Sequence, residues 1–85
     1  STAIGIMMQD IWLFGCGRMG SALLAGWLNA PWVGRVLVID PQPLSPRLAA
    51  DGRVLHQRSL PDVPAFPPDV VVIAVKLQQF DSLVT

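Results

Sequence analysis

The residues of this chain that could do chemistry are few, and they cluster around one loop. Gly15, Gly17 and Gly20 stand in the pattern Gly-x-Gly-x-x-Gly within "LFGCGRMGSALLAG", and Asp40 follows 20 residues beyond Gly20. At a glycine frequency of ~7%, such a triplet arises by accident in roughly 3% of chains this long, so context must decide. Here an apolar run precedes the triplet, helix formers follow it, and an acid closes the next apolar run, the setting in which glycines cradle a dinucleotide.

Each residue has a physical task in that setting. Gly15 lets the chain turn sharply, Gly17 lets the main chain approach a pyrophosphate, and Gly20 lets the helix sit against the strand. Ala22 and Gly26 extend the same small-residue face by one turn. The N–H groups of the first helical turn and the positive end of the helix dipole stabilise the anion without a lysine. A Walker loop would end in Gly-Lys-Ser/Thr, whereas Ser21 and Ala22 follow Gly20. A kinase glycine loop lies between strands, which the helical continuation excludes. The competing reading is a tight turn with no ligand.

Asp40 can accept both ribose hydroxyls of an adenosine and would repel a 2′-phosphate, which favours NAD over NADP unless Gln42 or Arg47 reorganises the pocket. Alternatively it only starts a turn before Pro41. Cys16 reads as packing, although a thiol at a helix N-terminus could be acidic. Arg18 either meets a phosphate or is solvated. His56 has no acid or nucleophile at a telling spacing and reads as a strand-end histidine. One cysteine and one histidine provide no metal cluster and no intrachain disulfide. No catalytic residue and no metal ligand is assigned in this chain.

The elements that must position these residues follow from periodicity. Ile11 to Phe14 and Val36 to Ile39 are short apolar runs, and Met19 to Leu28 favours a helix stopped by Asn29 and Pro31. Arg47 to Asp51 reads as a brief helix, and Arg53 to His56 as a third strand. Ser59 to Pro68 holds four of the eight prolines and reads as a loop with at most one helical turn. Val70 to Val75, "VVVIAV", lacks alternation and predicts a strand buried on both faces. Gln78 to Thr85 starts a further helix. Apolar strands alternating with crossovers predict an α/β fold: an incomplete Rossmann-like parallel sheet of about four strands in the order 3-2-1-4.

Composition narrows the function classes. Six basic and six acidic residues cancel, with no basic run to track a nucleic-acid backbone, and Trp12, Trp27 and Trp32 read as packing. The apolar region Ala22 to Ile39 is broken by Asn29, Pro31 and Arg35, so no membrane span is predicted. A lone cysteine fits a reducing, cytoplasmic setting. With 52% hydrophobic and 14% charged residues, some apolar surface calls for a partner. Residues 1–10 read as a leader, with Met7 and Met8 a candidate native start behind vector-derived residues, and 11–85 as the cofactor-binding domain.

"IWLFGCGRMGSALLAGWL", "VLVID" and "DVVVIAVKLQ" together resemble the amino-terminal domain of pyrroline-5-carboxylate reductase. The most specific stretch is Ala74, Val75, Lys76, Leu77 and Gln78, where that family typically reads Ala-Val-Lys-Pro-Gln; Leu77 departs from it. The resemblance implies hydride transfer from NADPH or NADH to a cyclic C=N bond, yielding proline. It carries cofactor contacts to the glycine loop, Gly15 to Gly20 with Cys16, Arg18 and Met19, and to Ala74, Val75 and Lys76. Counting from Gly52 makes Ser59 a counterpart of an asparagine near the adenosine; counting back from Ala74 points elsewhere. Lys76 is alternatively a solvated strand-end residue.

The resemblance also implies a homodimer or higher oligomer and a carboxy-terminal helical domain holding the small-molecule substrate, neither encoded in these 85 residues. Turnover is therefore not expected of them alone. The alternatives are another reductase on this fold, such as prephenate dehydrogenase, a β-hydroxyacid dehydrogenase or a deazaflavin-linked NADP oxidoreductase, and a noncatalytic nucleotide-sensing or interaction module. A methyltransferase fits less well, because Leu13 and Phe14 stand where an acid would precede its loop.

Overall fold

The computed structural model describes residues 8–75. Four strands and two helices alternate in the order β1 (Gln9–Phe14), α1 (Arg18–Trp27), β2 (Val33–Ile39), α2 (Pro46–Ala49), β3 (Val54–Gln57) and β4 (Val70–Ile73). All strand pairs are parallel and the sheet order is β3-β2-β1-β4. This is the expected α/β fold, consistent with an incomplete Rossmann-like sheet. The predicted helix at Gln78 to Thr85 lies outside the described residues.

Chain direction explains how the two faces are covered. From β1 to β3 the strands step one way, and the last connection returns past β1 to β4. A right-handed crossover must then change faces. Accordingly, Leu24 of α1 and Leu48 of α2 pack with Ile11, Leu13, Val36, Val38 and Val54 on one face. On the other, Phe66 of the proline-rich connector packs with Phe14, Leu37 and Ile39. That connector contains no helix. It is pinned instead by Trp12 Nε1–H donating to the Phe66 carbonyl at 3.1 Å and by the Arg35 guanidinium 4.3 Å above the Phe66 ring. Trp12, Pro64, Phe66, Pro67 and Pro68 line a shallow open groove of about 320 Å³.

Two expectations need correction. β4 is not buried on both faces: Val70, Val71 and Ile73 are 37%, 48% and 46% exposed. Among the described residues β4 pairs with β1 alone, and the connector covers only the inner strands. Strand ends also shifted. β1 and β2 begin early because Gln9 pairs with Val33 before a register shift, where the Asp10 carboxylate accepts from the Arg35 N–H at 2.8 Å. α2 starts at Pro46, fixed for the first helical position, and Ser45 Oγ accepts from the Leu48 N–H.

Arg53 joins the two crossovers of the first face. It donates to the Leu28 carbonyl at 2.7 Å, just beyond α1, and pairs with Asp51 at 3.0 Å. The hydrogen bonds from Arg53 hold the Asp51 carboxyl at about 2, below its ordinary 3.8. A depressed carboxylate stabilises the fold above its unfolded value and loses that contribution as pH falls through its folded value. The Asp51 contribution is therefore expected to be intact above about pH 4 and to disappear towards pH 2. Carboxyl-carbon NMR titration checks this, and a midpoint near 3.8 would show the pair unformed in solution.

Candidate functional site: the glycine loop at the switch point

The loop between β1 and α1 sits beside β4, where the chain has returned past β1 and the strand order reverses, the usual ligand crevice of an open parallel sheet. Two of its three glycines are demanded by the fold. Gly15 has φ +92°, and a Cβ there would overlap Val75 Cγ1 and stand 3.2 Å from the Ala74 carbonyl oxygen. A Cβ on Gly20 would overlap the Gly15 carbonyl oxygen. Gly17 differs: its φ is −71°, and a Cβ would meet nothing within 4 Å. The space beside it is open, so packing does not explain a glycine there.

The start of α1 is also left open. Gly17, the N-cap, supplies no side-chain acceptor, and the first turn contains no acid. The first intrahelical bond at this end is Ser21 N–H to the Gly17 carbonyl, at 2.8 Å. The N–H groups of Arg18, Met19 and Gly20 have no acceptor within the helix by geometry. A capping side chain is usually worth about 1 kcal/mol, and α2, a single turn, has one in Ser45. Arg18 and Met19 are exposed beside this N-terminus.

Asp40 belongs to the same site by contact. Its Oδ2 accepts from the Cys16 N–H at 2.6 Å and its Oδ1 from the Gln42 N–H at 2.8 Å. Its own N–H donates to the Gln57 carbonyl at 3.0 Å, and its carbonyl accepts from His56 Nε2–H at 2.8 Å. The Gln42 bond is the turn that the sequence announces before Pro41, and the Cys16 bond ties Asp40 to the glycine loop. A carboxylate has about four lone-pair positions, so two remain for ribose hydroxyls.

Cys16 and Ser21 complete the loop. Ser21 Oγ–H donates to the Cys16 carbonyl at 2.9 Å, which leaves the thiol to donate to that hydroxyl at 3.6 Å. Burial pushes the Cys16 thiol up, the Ser21 contact lowers it and the Asp40 charge raises it. The side chain packs against the core, as the sequence reading of Cys16 has it, and the upward direction does not favour the acidic alternative.

Ala74 and Val75 lie against the loop: the Ala74 N–H donates to the Phe14 carbonyl at 2.8 Å, and Val75 borders Gly15. Ser59 is exposed two residues past β3, and among the described residues no hydrogen bond joins it to the loop or Asp40. Lys76 lies outside the described residues. Ala22 and Gly26 face outward, so only Gly20 makes the close helix–strand contact expected of all three. Sequence reasoning missed the supports: Ser21 had a signal, a hydroxyl one turn from the loop, whereas nothing in the spacing of His56 announced its reach to Asp40.

Among the described residues no group of three or more histidines, cysteines or acids could hold a metal, and no helix is long and apolar enough to cross a membrane. The open side of Gly17, the uncapped α1 and the lone pairs left on Asp40 fit the pyrophosphate and adenosine ribose of a dinucleotide. Comparison with protein-family models, curated proteins and solved structures returned no match.

Proposed function

We propose that this chain is the cofactor-binding part of an NAD(P)H-dependent reductase that forms proline from pyrroline-5-carboxylate. The observation that carries the dinucleotide reading is the 2.6 Å bond from the Cys16 N–H to Asp40, which unites the glycine loop and the acid after β2 in one site. The first turn of α1 receives the pyrophosphate, Asp40 receives the adenosine ribose, and Ala74 and Val75 lead towards the nicotinamide side. A bound nicotinamide dinucleotide supplies hydride to the C=N carbon. The choice of substrate is supported by the resemblance of Ala74, Val75, Lys76, Leu77 and Gln78 to the family stretch.

The test is made on the full-length protein, assaying proline formation from pyrroline-5-carboxylate with NADH and NADPH, beside prephenate and β-hydroxyacid oxidation with the oxidised cofactors. Proline formation is expected, with NADH the better donor because Asp40 repels a 2′-phosphate. Binding of neither cofactor would overturn the dinucleotide reading. Binding without proline formation would overturn the choice of substrate alone.

A further inference from the structure

We propose that Asp40 is a positioning residue for the pyrophosphate loop as well as a ribose acceptor, an inference that rests on the dinucleotide reading above. A carboxylate beside an anion site should simply repel the anion. Here its oxygen is 2.6 Å from the main-chain nitrogen of Cys16, between the first two motif glycines. The peptide plane entering Cys16 is thereby fixed by Asp40.

The plane leaving Cys16 is fixed from the other side, because its carbonyl accepts from Ser21 Oγ–H at 2.9 Å. In a trans peptide the N–H points opposite to the carbonyl, so this second bond also aims the Gly17 N–H. Asp40 is itself held at its N–H by β3, at its carbonyl by His56 and at Oδ1 by Gln42. It is a fixed post, and the loop is tied to it. Preorganising the loop spares the ordering cost when a pyrophosphate binds.

Repulsion and positioning predict opposite signs. The probe is inorganic pyrophosphate, which has no ribose for Asp40 to contact, titrated into the full-length protein and followed by the amide shifts of Cys16 to Gly20. If Asp40 positions the loop, Asp40→Ala weakens pyrophosphate binding about fivefold, the effect of one hydrogen bond. Asp40→Asn, whose one carbonyl oxygen can serve the Cys16 N–H or the Gln42 N–H but not both, keeps part of the tie and is expected to bind more tightly than Asp40→Ala.

Tighter or unchanged binding by Asp40→Ala would overturn the proposal. Hydrogen exchange at the Cys16 amide of the unmodified protein tests the same bond should Asp40→Ala fail to fold. Protection is expected, and free exchange would overturn the proposal. If the unmodified protein binds neither pyrophosphate nor a nicotinamide cofactor, the dinucleotide reading fails and this inference fails with it. If it binds both and only the variants disagree, this inference alone is lost.

Discussion

Replacing Gly15 with alanine is expected to destabilise the protein by about 2–3 kcal/mol, a large share of what a domain this size has. At φ +92° an L-residue is strained, which by itself costs about 1–2 kcal/mol. The new methyl must also displace Val75 and stand 3.2 Å from the carbonyl oxygen of Ala74, a residue tied to β1 through its N–H bond to the Phe14 carbonyl. Urea denaturation should show a lower midpoint with an unchanged slope. An unaltered midpoint would mean that the loop relaxes freely, and the tight turn would lose its structural meaning.

Replacing Gly17 with valine should give the complementary result. Nothing within 4 Å opposes a Cβ there, so the urea midpoint is expected to fall less than for Gly15→Ala. The branched side chain would, however, fill the space through which a pyrophosphate reaches the first turn of α1. NADH affinity of the full-length protein, measured by calorimetry, is expected to fall about 100-fold, or roughly 2.7 kcal/mol. Retained affinity would exclude this loop as the cradle. Taken together, the two variants separate a glycine kept for the turn from a glycine kept for a ligand.

That separation was legible in the motif, which assigns Gly15 to the turn, Gly20 to helix–strand packing and Gly17 to the ligand. The atoms around the Cβ positions of Gly15 and Gly20 agree, and the open space at Gly17 is what the structure adds. The strands were legible because Ile11 to Phe14 and Val36 to Ile39 are apolar at every position, which a sheet covered on both faces requires. The same rule misled for β4: "VVVIAV" carries the signal of burial, but burial depends on what lies beside and above a strand, which composition does not report. Asp40 was legible as an acid in the right place. Its ties to Cys16 and His56 were not, because they join the ends of β1, β2 and β3, which become neighbours only through the parallel register, whereas its bond from Gln42 is the local turn that Pro41 announces.

The connector between β3 and β4 stays ordered for a reason that its contacts alone do not supply. It contributes one deeply buried side chain, Phe66, and no helix, so its folded state is modestly held. Pro61, Pro64, Pro67 and Pro68 act on the other side of the equilibrium. Each fixes its own φ and narrows its predecessor in the unfolded chain, so less conformational freedom is surrendered on folding, by about 0.4–1 kcal/mol per compatible proline. The return of the chain to the far side of β1, on which the crevice at the glycine loop depends, is thus secured partly by how little the unfolded connector can move.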